Sequence, residues 1–212
     1  MNKVKIALAK GRIADKSIEM LESIGVVFED YSKKSRKLIF EDTTGRIRMI
    51  FVKSGDVPIY VEKGAADLGI VGKDVIMEEE ADIYEVLDLG FGKCKMCVCG
   101  YSDYEVIPNK KLVVASKYPV TAKNYFNKLG IHSEIIKLNG SVELAPIIGL
   151  SDVIVDIVET GKTLKENNLD VLKEIGDVSA RLVINKVSLK TKAEVVGQII
   201  DGFENLMENK AD

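Results

Sequence analysis

Residues 152–164 carry side chains whose types and order suit the binding of a sugar phosphate. Residues 153–157 include an apolar, β-branched run, Val-Ile-Val followed by Ile157, which predicts a strand buried on both faces. Residues 159–163 then supply a hydroxyl, a glycine, a cation and a second hydroxyl at the predicted start of a helix. Amide groups at a helix N-terminus point at one spot and carry partial positive charge, so this junction is suited to a phosphate.

Each polar residue of this segment has a task in such a site. Gly161 lets a phosphate approach the backbone closely, while Thr160 and Thr163 add hydroxyl donors and Lys162 adds a positive charge. Asp156, near the carboxyl end of the predicted strand, is placed to accept hydrogen bonds from sugar hydroxyls. The pattern Thr-Gly-x-Thr is also typical of an ordinary helix N-cap in a βα loop, so both interpretations stand at this point.

Three further turns follow predicted strands and carry groups that bind anions or hydroxyls. Ligands of open α/β sheets bind outside the carboxyl ends of the strands, so turns of this kind converge when their strands are neighbours. Any one of these turns alone is more typical of an ordinary loop than of a binding site. Four of them at strand ends, three with basic residues, indicate a site for a polyanion. The three are Lys10-Gly11-Arg12, Lys53-Ser54-Gly55-Asp56, and Asn139-Gly140-Ser141 with Glu143 in the first turn of the next helix.

Size and charge limit the classes of function that this chain can have. Its 212 residues, 46% of them hydrophobic, are enough for one large or two small domains. The net charge of −3 argues against nucleic-acid binding through bulk charge. No stretch has the length and apolar character of a membrane span, and the N-terminus shows no cleavage site, so we expect a cytoplasmic protein with no membrane partner.

The cysteines and the histidine favour neither a protein metal site nor a hydrolase triad. In a strand Cys94 faces opposite to Cys97 and Cys99, which is poor geometry for a metal, so we expect three small buried hydrophobic residues. His132 is the only histidine, which argues against a Ser-His-Asp mechanism and against a histidine-rich metal site.

Alternating strand-like and helix-like segments predict an α/β fold with mostly parallel sheets. Predicted strands lie at residues 4–8, 36–41, 46–52, 67–71, 87–99, 111–115, 133–138, 153–157 and 180–187. Predicted helices lie at residues 15–24, from Asp56, and at 121–129, 141–148 and 163–167. Thr191 and Glu194 have the spacing of a capping box before a terminal amphipathic helix.

The same order of segments predicts two lobes, the second inserted in the first. The strand at residues 87–99 leaves the first lobe, and the strand at 180–187 returns to it. Lobe I therefore comprises residues 1–100 and 180–212, and lobe II comprises residues 101–179. Two such lobes imply a hinge and a ligand cleft.

Four blocks, in order, give the chain a family resemblance. They are Leu8-Ala9-Lys10-Gly11-Arg12, residues 56–74 with Asp67-Leu68, Leu138-Asn139-Gly140-Ser141-Val142-Glu143, and the spacing from Glu143 through Gly149, Asp156 and Thr160-Gly161 to Thr163-Leu164. With these blocks the sequence resembles the ATP phosphoribosyltransferase family over nearly its whole length.

The resemblance implies a fold, a reaction and partners. The fold is two-lobed, like the type II periplasmic binding proteins, and the reaction converts ATP and phosphoribosyl pyrophosphate to phosphoribosyl-ATP and pyrophosphate, the first step of histidine biosynthesis. Mg²⁺ is expected on the substrates, with no metal site in the protein. The chain resembles the short form of the family, which implies a regulatory subunit related to histidyl-tRNA synthetase and catalytic homodimers within a hetero-octamer.

For this reaction we hypothesise roles for the residues of the four turns and for Arg36, which lies in the predicted strand at residues 36–41. Residues 160–163 hold the 5-phosphate, Asp156 holds the ribose hydroxyls, and Glu159 holds a hydroxyl or the Mg²⁺. The clamps for pyrophosphate and triphosphate are Lys10, Arg12, Arg36 and Lys53. The further candidates for ATP or ribose are Gly11, Asp67, Leu68, Ser141 and Glu143. Relatives usually carry arginine at the position of Lys53, and lysine lacks the bidentate fork.

Two rival functions have their own sequence signals. A solute-binding module would share the hinge and cleft, but it would lack the Thr-Gly-Lys-Thr turn and would usually be exported. A purine-salvage phosphoribosyltransferase also joins acidic residues to Thr-Gly. Such enzymes usually have two adjacent acids before the loop, whereas here Val155 precedes Asp156.

Overall fold

The structure, a computed structural model, describes residues 3–107 and 110–209. In the first part of the chain the elements are β1 Val4–Ala9, α1 Arg12–Ser23, β2 Ile39–Glu41, β3 Ile47–Val52, α2 Asp56–Glu62, β4 Leu68–Gly72, α3 Lys73–Glu79 and β5 Tyr84–Asp88. The middle contains β6 Cys94–Gly100, β7 Leu112–Ser116, α4 Pro119–Lys128, β8 Ser133–Lys137, α5 Leu144–Ile147, β9 Val153–Val158, α6 Lys162–Glu166 and β10 Asp170–Val178. The last elements are β11 Ala180–Ile184, α7 Ser188–Thr191 and α8 Ala193–Glu208.

The chain divides into two compact units, each with its own sheet. Unit 1 comprises Met1–Gly92 and Ser179–Asp212, and unit 2 comprises Lys93–Val178. The insertion agrees with the predicted order of lobes, but its first boundary lies at Lys93 and not at residue 101. The reason is that β6 pairs with β9 and β10, and both of these strands belong to unit 2.

Unit 1 is a six-stranded sheet, in the order β2-β3-β1-β4-β11-β5, with helices on both faces. Alternate side chains of β1 face opposite ways: Ile6 and Leu8 pack in the cluster that contains α1 and α8, and Ala7 packs in the cluster that contains α2. The predicted terminal helix is present, and it buries one stripe, which includes Val196 and Phe203. A sheet covered on both faces explains why residues 6–9 of β1 form a continuous apolar run.

Unit 2 is a five-stranded sheet in the order β10-β6-β9-β7-β8. β7 lies parallel to both β8 and β9, whereas β6 runs antiparallel to β9 and β10. Two apolar clusters cover its faces. Val153 and Val155 pack in one cluster with α4, and Ile154 packs in the other with Cys97, Cys99 and Leu164.

Several predictions about the elements are wrong. Both sheets are mixed and not mostly parallel, because β2, β6, β10 and β11 run antiparallel to neighbouring strands. The predicted strand at residues 87–99 is two strands, β5 and β6, and the chain between them turns at Gly90 and Gly92, where φ is positive. β10 was not predicted, because its residues are mostly exposed and two register shifts interrupt its alternation.

Two further details differ from the sequence prediction. Ile157, expected to be buried, is 38% exposed near the end of β9. The capping box does not form: Thr191 ends the short helix α7 and donates its hydroxyl to Val187 O at 3.1 Å, while Glu194 pairs with Arg46 at 2.8 Å. No helix in residues 3–107 and 110–209 has the length and apolar character needed to cross a membrane.

Candidate functional site

Three strand ends of unit 2 meet at one edge of its sheet. Because β7 pairs with β8 and β9 in parallel, with Ser116 opposite both Lys137 and Val155, these strands end at the same edge. The turn after β8, at residues 139–141, and the turn after β9, at residues 159–161, therefore leave the sheet together. This is the convergence that the sequence predicts for these two turns.

The turn after β9 has a backbone conformation that favours glycine. Gly161 has a φ of 71° and occupies the N-cap position of α6, which begins at Lys162, one residue earlier than predicted. The Lys165 amide donates to Gly161 O at 3.1 Å and forms the first helical hydrogen bond. Thr160 Oγ1 accepts a long hydrogen bond of 3.4 Å from the Lys162 amide. The turn thus presents its backbone and hydroxyls at the start of the helix.

A cavity of about 230 Å³ brings most of the predicted sugar-phosphate residues together. It is smaller than the roughly 300–1,000 Å³ that is typical of pockets for drug-sized ligands, and so it suits one small polar group. The predicted residues that line it are Glu143, Asp156, Glu159, Thr160, Gly161, Lys162 and Thr163. Residues that lie on separate strands and turns therefore line the same cavity.

The cavity has an acidic part and a part rich in amides and hydroxyls. Asp156 lies on β9 and its Oδ1 accepts from the Ile157 amide at 2.8 Å, while Glu143 is at the N-cap position of α5. The Lys162 side chain is 80% exposed and lies 3.8 Å from Glu166, so this residue offers its backbone more than its charge. A phosphate is suited to the amides and hydroxyls of the turn, and neutral sugar hydroxyls are suited to the carboxylates.

Cys99 forms the floor of this cavity and was not predicted as part of the site. Burial, then the charges of Cys97, Asp156 and Glu143, raise the pKa of the Cys99 thiol to about 12. The thiol therefore stays protonated at neutral pH and is not a nucleophile. A sequence signal existed in the alternation of Cys97 and Cys99, but their place opposite Asp156 and Ile154 depends on the pairing of β6 with β9.

The cysteines lie as the strand pattern predicts. Cys94 packs in one cluster of unit 2, whereas Cys97 and Cys99 pack in the cluster on the other face. Within the described residues there is no group of three or more histidine, cysteine or acidic side chains arranged to hold a metal ion.

A second cavity of unit 2, of about 530 Å³, shares Glu159, Thr160 and Gly161 with the first. Its other charged residues, which sequence reasoning missed, are Lys93, Lys95, Lys165, Glu174 and Asp177. Lys95 reaches this edge through the antiparallel course of β6, which sets it opposite Val158, and it forms an ion pair with Glu174.

The predicted basic residues of unit 1 gather at a single edge of its sheet. β1 and β3 are parallel, with Ala9 opposite Val52, so Lys10 and Lys53 follow adjacent strand ends. β2 runs antiparallel to β3, and the Phe51 amide donates to Leu38 O at 2.8 Å, which carries the preceding loop past the same edge. This basic edge consists of Lys10, Gly11, Arg12, Arg36 and Lys53, all of them exposed.

Contacts at the basic edge hold its loop in place. Lys10 Nζ donates to Ser35 O at 2.6 Å and lies 5.5 Å from the centre of the Phe51 ring. Arg36 lies in this loop and not in a strand as predicted, because β2 begins only at Ile39. The loop thus brings Arg36 beside the strand ends that Lys10 and Lys53 follow.

Asp67 and Leu68 lie elsewhere in unit 1. Asp67 is 4% exposed and precedes β4, at the opposite edge from Lys10, because β4 and β1 are parallel. Its carboxylate accepts from the Lys5 amide at 2.8 Å, from Ser188 Oγ at 2.5 Å and from Lys192 Nζ at 2.7 Å. Leu68 is fully buried. We therefore do not retain these two residues as contacts for ATP or ribose.

Ser141 and Glu143 differ in their relation to the cavity. Ser141 is exposed in the turn after β8, with a φ of 48°, and its carbonyl accepts from the Leu144 amide at 3.2 Å. Glu143 lines the cavity. The helix predicted for residues 141–148 is the shorter α5, Leu144–Ile147.

Comparisons with known proteins point to one family. A family model described as ATP phosphoribosyltransferase matches residues 53–205. An ATP phosphoribosyltransferase of Alkaliphilus metalliredigens is 55% identical over 95% of this chain and 96% of its own length. One from Brachyspira hyodysenteriae is 52% identical over 96% of this chain and 100% of its own length.

Comparison with solved structures points to the same family. The ATP phosphoribosyl transferase (HisG:HisZ) complex from Thermotoga maritima contains a chain with a TM-score of 0.86 and 38% identity, and the match covers 99% of this chain and 100% of that one. The GluR0 ligand-binding core from Nostoc punctiforme has a TM-score of 0.59 at 15% identity, over 98% of this chain and 94% of that one. The second likeness concerns the fold alone, which is the type II periplasmic-binding-protein-like fold.

Proposed function

The chain belongs to the ATP phosphoribosyltransferase family, and we propose that it transfers the phosphoribosyl group of phosphoribosyl pyrophosphate to ATP, the first step of histidine biosynthesis. The single observation of the structure that carries this proposal is the cavity of unit 2. The cavity combines carboxylates, which suit the ribose hydroxyls, with the amides and hydroxyls of the turn at Gly161, which suit the 5-phosphate.

The reaction places modest chemical demands on the protein. N1 of adenine attacks C1′ of the ribose, the N1–C1′ bond forms, and the bond from C1′ to pyrophosphate breaks with its electron pair leaving on pyrophosphate. N1 has a free lone pair at neutral pH, so no strong general base is needed. The protein has to align two anionic substrates and stabilise the charge that develops on the leaving group.

In unit 2 we assign the phosphoribosyl group to the cavity. The backbone of residues 160–163, together with the hydroxyls of Thr160 and Thr163, binds the 5-phosphate. Asp156 binds the ribose hydroxyls, and Glu143 and Glu159 lie beside it to hold a further hydroxyl. Because α6 has only five residues, its dipole contributes less than these individual donors.

In unit 1 we assign the polyphosphate groups to the basic edge. Lys10, Arg12, Arg36 and Lys53 supply positive charge, and the backbone at Gly11 allows a phosphate to approach closely. Lysine at position 53 keeps the charge of the usual arginine but offers no bidentate fork, so its share in holding pyrophosphate is the smaller one.

We assign Mg²⁺ to the substrates. Mg²⁺ prefers oxygen ligands, keeps several waters and is commonly held by one or two carboxylates together with substrate phosphates. In the described residues no ready cluster of ligands exists, but Asp156 and Glu159 are single carboxylates suited to this kind of contact. When bound, the ion neutralises charge on the leaving pyrophosphate.

We also propose a regulatory partner. The Thermotoga maritima structure is of a HisG:HisZ complex, and the present chain matches one chain of that complex over the full length of that chain. We assign the present chain a regulatory subunit of the same type, related to histidyl-tRNA synthetase, with catalytic homodimers assembled into a hetero-octamer.

A pyrophosphate-release assay tests the proposed activity. Purified protein receives ATP and phosphoribosyl pyrophosphate with Mg²⁺, with and without the candidate regulatory subunit, and each substrate is omitted in turn. Release that requires both substrates supports the assignment. Release with free adenine or guanine in place of ATP would instead indicate a salvage phosphoribosyltransferase, and binding of a single solute without release would indicate a binding module.

A further inference from the structure

Ser116 ends β7 beside the strand that carries Asp156. Its side chain is 0% exposed, and Ser116 is the last residue of β7 that pairs with β9, where it lies opposite Val155. Beyond it the chain turns away towards α4, which begins at Pro119. The carbonyl of Val155 therefore lies where the backbone ladder between the two strands stops.

Two hydrogen bonds fix the Ser116 hydroxyl. Ser116 Oγ donates to Val155 O at 2.6 Å and accepts from the Tyr118 amide at 2.8 Å. A hydroxyl has one proton to donate, and here the Tyr118 amide occupies an acceptor position while the proton goes to Val155. The hydroxyl thus joins the turn after β7 to the end of the ladder on β9, in a fully buried position.

The Val155 carbonyl belongs to the peptide unit that leads into Asp156. Because a peptide unit is planar and rigid, the hydrogen bond to Val155 O also fixes the orientation of the Asp156 amide and of the Cα that carries its side chain. A buried carbonyl without a partner is unfavourable, so loss of the Ser116 hydroxyl would favour rotation of this peptide unit.

We propose that Ser116 is a positioning residue for the phosphoribosyl transfer, which holds Asp156 in the orientation that binds the ribose hydroxyls. Ser116 does not touch the substrate and acts through the Val155–Asp156 peptide. The inference rests on the function proposed above for Asp156, and it adds a residue that no sequence motif indicates.

Paired substitutions test this role. Ser116→Ala, Asp156→Ala and the double variant are compared with the wild type in the pyrophosphate-release assay, with KM measured separately for each substrate. Because misplacement by about 1 Å can cost about 100-fold, we expect Ser116→Ala to raise KM for phosphoribosyl pyrophosphate and so to lower kcat/KM for this substrate by about 10- to 100-fold. The KM for ATP stays unchanged, and in the Asp156→Ala background the same change has almost no further effect.

Ser151→Ala is the matched control. Ser151 is also buried and lies in unit 2, just before the opposite end of β9, and its hydroxyl has no hydrogen-bond partner among the described residues. We expect this variant to leave both KM values at the wild-type level. If Ser116→Ala does not fold, Ser116→Cys keeps the shape of the side chain with a weaker donor, and we expect the same selective rise in KM.

Each outcome has a defined meaning. An unchanged KM for phosphoribosyl pyrophosphate in a folded Ser116 variant, equal losses for both substrates, or a full further loss in the Asp156→Ala background would overturn the positioning role. If Asp156→Ala itself binds phosphoribosyl pyrophosphate normally, the proposed function of Asp156 fails first. If Asp156→Ala is impaired and the Ser116 variants are not, only the inference about Ser116 fails.

Discussion

The cavity of unit 2 and the basic edge of unit 1 present polar groups in two different ways. The cavity relies on short side chains and backbone, fixed by β9, by the Gly161 turn and by the start of α6. The basic edge relies on long, exposed cationic side chains that follow strand ends. The backbone fixes the first arrangement before any ligand binds. At the basic edge Lys10 is held by Ser35, whereas the exposed side chains of Arg36 and Lys53 keep much of their rotamer freedom until an anion orders them.

The difference has an energetic consequence. A preorganised polar group needs no reorganisation when charge develops, so removal of that group causes a large loss of transition-state stabilisation. Exposed charges are screened by water and salt, and several of them at one edge substitute for one another. We therefore expect single substitutions in the cavity to reduce activity much more than single substitutions at the basic edge.

The largest effect is expected for Asp156→Asn. This change keeps the shape but removes the charge that accepts hydrogen bonds from ribose hydroxyls. Loss of one preorganised group typically costs about 2–4 kcal/mol, which corresponds to a decrease of roughly 30- to 900-fold in kcat/KM. Steady-state kinetics measure the loss, and thermal unfolding should show an intact fold.

Asp170→Asn serves as the control for Asp156→Asn, because Asp170 is an exposed aspartate of the same unit at the start of β10. It should retain wild-type kinetics. Wild-type activity of Asp156→Asn would show that the cavity does not bind the ribose, and the contrast between the two regions would lose its basis.

A smaller loss is expected for Gly161→Ala. A side chain at the positive φ of 71° is unfavourable by about 1–2 kcal/mol, so the turn either remains strained or moves away from the phosphate. We expect KM for phosphoribosyl pyrophosphate to rise by about 5- to 30-fold. Gly45→Ala is a matched control in unit 1, because Gly45 has a φ of 68° and open space around its Cβ position.

Gly45→Ala should lose a similar free energy of unfolding while its kinetics stay unchanged. If both variants lose stability and neither changes KM, the conformation of the Gly161 turn is a folding requirement and the turn is not a phosphate site.

The turn at residues 159–163 was predictable because strand, glycine and helix start are neighbours in sequence. The place of Glu143 beside this turn could be predicted from the general rule that neighbouring parallel strands end at the same edge of a sheet. Cys99 and Ser116 were not predictable, because their roles depend on which strands pair with β9. For Asp67, too, the sequence could not show the partner that the fold provides. Its motif suggested a ligand contact, but Lys192, 125 residues away in the chain, forms an ion pair with it in the interior.

A modest effect is expected at the basic edge. Lys53→Ala removes one exposed charge among several, so we expect only about a 1.4- to fivefold rise in KM for the substrate whose phosphates it contacts, from about 0.2–1 kcal/mol. Added salt should reduce this difference. Lys53→Arg should lower KM, because the guanidinium can bind a phosphate with two hydrogen bonds.

Lys123→Ala, at an exposed position of α4, controls for the loss of positive charge and should leave KM unchanged. A loss of about 100-fold or more in Lys53→Ala would mean that the basic edge is as preorganised as the cavity, contrary to the comparison.

The smallest effect at neutral pH is expected for Cys99, at the floor of the cavity. Burial raises the pKa of its thiol from 9.0 to about 12, so the folded state disfavours the thiolate. The resulting stabilisation is fully present below pH 9 and is lost as the pH rises from 9 towards 12, because the unfolded chain then releases a proton that the folded chain retains. Urea unfolding of the wild type and of Cys99→Ala across this range measures the slope, which should be shallower in the variant. An equal slope in both proteins, or rapid labelling of the Cys99 thiol in the folded protein at pH 7, would show that the cavity floor is open to water, as the basic edge is.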